Sequence, residues 1–144
     1  MNQVQALAER TIAAPVDRVR AAVADYRGTR SRILTGHFSD YEVQSGGTGA
    51  GTVVRWRLQA TKKRVRDCLF EVSEPTPGAL VEADRNSTLV TTWTVEGNDT
   101  TSTVRIATTW EGANGVKGFF ERTFAPAGLK RIHDELLANL AAAL

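Results

Sequence analysis

His37 and His133 are the two histidines of the chain and its natural carriers of a proton near neutral pH. Asp134 and Glu135 follow His133 directly, but adjacent residues on a helix do not face one another, so they form no ready pair with it. Two histidines and the single cysteine, Cys68, fall short of a zinc-binding set, and no metal is expected. No Ser–His–Asp set or paired carboxylates can be assembled from the order of the residues. If the chain catalyses a reaction, His37 and Tyr26 are the candidate proton carriers. Tyr26, Tyr41, Asp84, Arg85, Thr91 and Thr108 are polar groups that could point inward, where an Arg or Tyr would fix an oxygen of a ligand. Arg85 belongs equally well to the turn "DRNS", and Cys68, in phase with Phe70, reads as a packed thiol.

Two further stretches invite a chemical reading. The glycines of "SGGTGAG" (45–51) fit no G-x-G-x-x-G register, and a strand follows where a helix N-terminus would be needed. The stretch is read as a turn, and no cofactor is expected. "RWRLQATKKRVR" (55–66) carries six basic residues around one tryptophan. In a strand Trp56 faces away from Arg55 and Arg57, so it cannot stack beside them. Lys62, Lys63 and Arg64 sit at a hairpin tip, where charge also guards a sheet edge. A solvated face is the preferred reading, with a nucleic-acid or acidic partner as the alternative.

These residues must be placed by the elements around them. "QVQALAERTI" alternates as a strand. Pro15 suits the first position of a helix, and Val16, Val19 and Val23 make its stripe. A second short helix is expected at "TRSRIL" (29–34). From His37 onward the period is two. Val54, Trp56 and Leu58 share one face, as do Cys68, Phe70 and Val72, then Leu89, Thr91, Trp93 and Val95, then Val104, Ile106, Thr108 and Trp110. One face is buried and one wet, as in an antiparallel sheet. "EPTPG" reads as a turn and "ALVEAD" as a short strand. The order strand, two helices, six strands, long helix argues α+β, with an antiparallel sheet wrapped on the long helix.

That last helix changes phase. Leu129, Ile132, Leu136, Leu140 and Leu144 share a stripe about 120° wide, and His133 lies about 40° off its first residue. Phe120 and Phe124 fall about half a turn away on a straight rod. Pro126 forbids one helical bond and predicts a kink there, which turns Phe119, Phe120 and Phe124 inward. Ala125, Ala127 and Gly128 leave space beside them, and a ligand cavity is expected. Trp56, Trp93 and Trp110 either line that space or fill it.

The chain has 144 residues, 42% hydrophobic and 24% charged, with a formal net charge of +2. One globular domain over 1–144 is expected, without a global field to attract nucleic acid. Without a signal-peptide pattern, a membrane-spanning run or a disulfide pair, a cytoplasmic location is expected.

Over its whole length the chain resembles the START-like helix-grip (SRPBCC) superfamily, in its polyketide cyclase/dehydrase-like branch. The resemblance is carried by "ERTIAAPVDRVRAAVADY", "GGTGAGTVVRWRL", "EPTPG" and "GFFERTFAPAGLKRIHDELLANL". It implies a seven-stranded antiparallel sheet gripping a long, kinked C-terminal helix around a deep apolar pocket, with two short helices between strands one and two. The branch has no universal catalytic motif, so only pocket positions carry over. They are Tyr26, Leu34, His37, Trp56, Leu58, Phe70, Trp93, Trp110, Phe120, Phe124, Leu129 and His133. The expected function is binding of a small hydrophobic or amphipathic molecule, such as a lipid, an isoprenoid or a polyketide-like aromatic, by a monomer or homodimer. A cyclase or dehydratase using the same pocket is the alternative, and an interaction module built on the basic strand pair the second.

Overall fold

The computed structural model describes residues 3–61, 64–111 and 126–144. Seven strands form one antiparallel sheet: β1 (Gln3–Ile12), β2 (Phe38–Ser45), β3 (Val53–Thr61), β4 (Arg64–Thr76), β5 (Ala79–Asp84), β6 (Val90–Gly97) and β7 (Ser102–Glu111). Their order across the sheet is β1-β7-β6-β5-β4-β3-β2. The last six strands are a meander, and β1 closes onto β7 with Gln3 opposite Glu111 and Ile12 opposite Ser102. The helices α1 (Val16–Ala24) and α2 (Thr29–Arg32) fill the gap between β1 and β2. The C-terminal helix α3 (Pro126–Ala143) packs along β1. The α+β helix-grip architecture expected from the alternating runs is therefore present. Phe119, Phe120, Phe124, the kink ahead of Pro126 and the Lys62-Lys63 hairpin end lie outside the described residues.

Period-two alternation explains the core. Val54, Trp56 and Leu58 on β3, Phe70 and Val72 on β4, and Val104, Ile106 and Trp110 on β7 are all buried, while Arg55 and Arg57 stay in solvent. Burying such apolar side chains is worth about 1.5–3 kcal/mol each before the entropy of ordering them is subtracted. On α3, Leu129, Ile132, His133, Leu136, Leu137 and Leu140 form the buried stripe. Asn139 ties this helix to the α2 segment by donating from Nδ2 to the Ile33 carbonyl at 2.8 Å.

Two local expectations shift. Pro15 caps α1 rather than occupying its first turn, with φ −60° and ψ 142°. The "EPTPG" stretch is mostly strand: β4 runs through Thr76, which pairs with Ala79, and the reversal is confined to Pro77 and Gly78. Gly78 has φ +84°, a conformation that side-chain-bearing residues rarely adopt, and this permits so tight a turn. The glycine-rich loop does serve as a turn. It seats against the end of α1, where the Tyr26 amide donates to Gly47 O at 2.9 Å and the Gly49 amide to Ala24 O at 2.9 Å.

Candidate functional site

The inner face of the sheet, α2 and α3 enclose a cavity of about 40 Å³. Its apolar walls come from Leu34, from Phe38, Trp56, Leu58 and Phe70 on β2 to β4, from Trp93 and Ile106 on β6 and β7, and from Leu129 and Leu136 on α3. The rings interlock. Phe38 meets Trp56 edge-on at 5.9 Å, and Phe70 lies 4.7 Å from Trp56. A volume of this size holds roughly three water-sized molecules, against about 150 Å³ for a benzene-binding cavity. The interior is neither packed solid nor an open chamber, and seating a ring would require its walls to move apart.

One wall is charged. Leu80 and Glu82 lie on the buried side of β5, and Glu82 is only 1% exposed. A lone carboxylate at such depth is costly, so it must be paired. Arg30 reaches it from α2: Nη2 donates to Glu82 Oε2 at 2.7 Å, and Nη1 donates to the Val23 carbonyl at 3.0 Å. The Tyr26 hydroxyl donates to the same Oε2 at 2.6 Å. The guanidinium also lies 4.1 Å from the Trp93 ring centre and 4.6 Å from that of Tyr26, close enough for cation–π attraction. Glu82 Oε1 takes no hydrogen bond from any described residue. Burial alone would pull the Arg30 guanidinium down, but the Glu82 charge outweighs it and holds Arg30 above its ordinary range. Burial, reinforced by the Glu82 charge, pushes the Tyr26 phenol far up. Tyr41 donates to the Tyr26 carbonyl at 2.5 Å, and burial pushes its phenol up to about 12.

The facing wall is polar and uncharged. Thr91 and Thr108 share a hydrogen bond of 2.7 Å across β6 and β7. Thr108 Oγ1 meets His133 Nε2 at 2.8 Å. His133 Nδ1 is buried without a partner. Whichever tautomer forms, that nitrogen presents either a donor or a lone pair that nothing satisfies, at a cost of about 1–3 kcal/mol. Burial draws the imidazole down to about 4, so His133 is neutral at physiological pH.

The expected site residues separate into three groups. Leu34, Trp56, Leu58, Phe70, Trp93, Leu129 and His133 line the cavity. Tyr26, His37 and Trp110 are not among its described lining. Tyr26 stands behind Glu82, Trp110 is buried elsewhere in the core, and His37 bonds Thr35 Oγ1 through Nδ1 at 3.0 Å. Phe120 and Phe124 lie outside the described residues. Thr91 and Thr108 point inward, whereas Asp84 organises the β5–β6 turn, accepting from the Leu69 and Asn86 amides at 3.0 Å each. Arg85 pairs on the surface with Glu71. Cys68 is buried and its thiol is pushed up by burial, as befits packing. Sequence reasoning misses Arg30 and Glu82. Strand parity puts Glu82 on the side of Leu80 but does not decide which side of β5 is buried, and no local pattern marks Arg30.

The outer face of β3 is electrically balanced. Arg55 Nη2 sits 3.2 Å from Asp67 Oδ2, and Arg57 Nε lies 3.6 Å from Asp40 Oδ2 and 3.8 Å from Asp67 Oδ1. Among the described residues no His/Cys/Asp/Glu cluster could hold a metal ion. No described helix is long and apolar enough to cross a membrane.

The chain is similar to several solved structures. The KanY protein, solved in solution by NMR, is 51% identical, with 99% of this chain and 98% of that one covered and a TM-score of 0.89. The ZhuI aromatase/cyclase from Streptomyces sp. R1128 is 15% identical over 99% of this chain and 88% of its own, with a TM-score of 0.61. Major latex-like protein 151 from Panax ginseng is 12% identical over 98% and 97%, with a TM-score of 0.71. The last two share the fold alone. No curated protein matches the chain. A family model described as "Polyketide cyclase / dehydrase and lipid transport" matches residues 3–144. The chain thus belongs to the polyketide cyclase/dehydrase branch of the helix-grip (SRPBCC) superfamily.

Proposed function

We propose that this protein binds a small hydrophobic or amphipathic molecule between its sheet and its C-terminal helix. One observation carries the reading. An apolar cavity at the centre of the fold is lined by Glu82, whose Oε1 takes no hydrogen bond from any described residue, and by His133, whose Nδ1 is buried without a partner. A solid core would gain nothing from such groups, because unmet polar atoms in an apolar interior destabilise it. A guest with an apolar body and a polar end would meet both needs. Membership of a family described by cyclase, dehydrase and lipid-transport activities supports the same reading. Native mass spectrometry of protein purified from its host should show a discrete added mass that organic extraction removes. Bare protein alone, even after incubation with a host lipid and metabolite extract, would defeat the reading.

A cyclase or dehydratase is the second reading, and His133 favours it. A neutral imidazole steadied by Thr108 through Nε2, with Nδ1 unpartnered, suits a proton-transfer group. His133, rather than His37 or Tyr26, would then touch the substrate. Under this reading His133→Gln abolishes turnover while leaving binding intact.

A further inference from the structure

Resting on the ligand-binding reading, we propose that the cavity selects an uncharged guest that donates a hydrogen bond, an alcohol or a phenol, over a carboxylate, with Glu82 Oε1 as the accepting atom. The argument begins with Arg30, the one Lys or Arg among the described lining residues. Its two terminal nitrogens are engaged by Val23 O and Glu82 Oε2, and two aromatic rings lie against it. The cation that would greet an anionic head group is already neutralised. A carboxylate brought beside it would place a second negative charge next to Glu82 with no second positive charge among the described lining residues to balance it, in surroundings that screen poorly. His133 adds no cation, since its buried imidazole is neutral at physiological pH.

Glu82 itself is acceptor-only when paired with Arg30. Oε2 receives both Arg30 and Tyr26, whereas Oε1 takes no hydrogen bond from any described residue. A hydroxyl group meets that oxygen without changing the charge of the site, and its bond to an ionised acceptor is stronger than one between neutral groups. The narrow volume between Trp56, Phe70 and Trp93 favours a flat, compact body for the rest of the guest.

Three single-ring probes of matched shape test this on isotope-labelled protein by NMR, near neutral pH: p-cresol, p-toluate and toluene. The indole N–H signals of Trp56 and Trp93 report occupancy. The expected result is that p-cresol binds about tenfold more tightly than p-toluate, and more tightly than toluene, the size of one charge-assisted hydrogen bond. In the paired variant Arg30→Met/Glu82→Met the advantage of p-cresol over toluene should disappear. Glu82→Gln, which leaves Arg30 uncompensated, should shift preference toward p-toluate. Equal or tighter binding of p-toluate by the wild type, or parity between toluene and p-cresol, overturns the selectivity while leaving the pocket reading intact. No response to any of the three probes overturns both, and the wild-type comparison needs no variant to fold.

Discussion

Two arginine–carboxylate pairs sit on opposite faces of the same sheet. Arg30 and Glu82 meet at 2.7 Å with side chains 6% and 2% exposed, whereas Arg55 and Asp67 meet at 3.2 Å with 45% and 48% exposed. The chemistry is the same and the surroundings decide what it is worth. In solvent the outer pair is screened and adds little. It does, however, neutralise Arg55, and Asp40 and Asp67 stand beside Arg57. Inside, both partners have been stripped of water, and a pair of that kind rarely stabilises a fold more than apolar residues of the same shape would. The inner pair is better understood as a feature of the cavity wall than as a clamp on the fold.

The sharpest way to break this contrast is to remove one inner partner. Glu82→Ala leaves Arg30 charged and buried, and should cost about 3–5 kcal/mol in urea unfolding. Arg30→Met/Glu82→Met removes both charges and should recover most of that loss. If the double variant is as unstable as the single one, the inner pair is a clamp after all. The next effect belongs to the facing wall. The native imidazole of His133 titrates near 4, below the 6.5 of an unperturbed histidine. Between those values the unfolded chain binds a proton that the native one refuses, so stability is complete above the unfolded pKa and drains as pH falls through the window. The loss should be on the order of 3 kcal/mol, read as the change in urea midpoint between neutral and acidic buffer. His133→Gln should flatten that component. The smallest effect is expected outside, where Asp67→Ala should leave the urea midpoint unchanged and alter only its response to salt. A marked loss there would erase the distinction between the faces.

Much of this architecture is legible in the chain alone. Strict alternation through Val54, Trp56 and Leu58 and through Val104, Ile106, Thr108 and Trp110 sets which side of β3 and β7 faces the core, because a strand has only two sides. The Leu129, Ile132, Leu136, Leu140 stripe does the same for α3. What stays hidden is long-range pairing. β5 is six residues long and mixes apolar with acidic side chains, so its parity does not by itself turn Glu82 inward. Arg30 lies in a short helix between Arg27 and Arg32, and nothing local separates the buried arginine from its neighbours. Its environment is created by Glu82, 52 positions away. By angle His133 falls within the leucine stripe, so its burial is legible, but its meeting with Thr108 is not. His37 is the more inviting proton carrier by position, since it precedes β2 at one mouth of the expected pocket, but its ring is held by Thr35 instead.

The pairing of β1 with β7 carries a consequence for how the molecule is made. Gln3–Ile12 is synthesised ahead of the other strands, yet its partner Ser102–Glu111 emerges only after β2 to β6 and two helices have been synthesised. Closing so long a loop is entropically slow. Until then the nascent chain carries a strand with nothing to pair with, and a growing sheet whose far border is open to other chains. Of the seven strands, the earliest made waits longest for its partner.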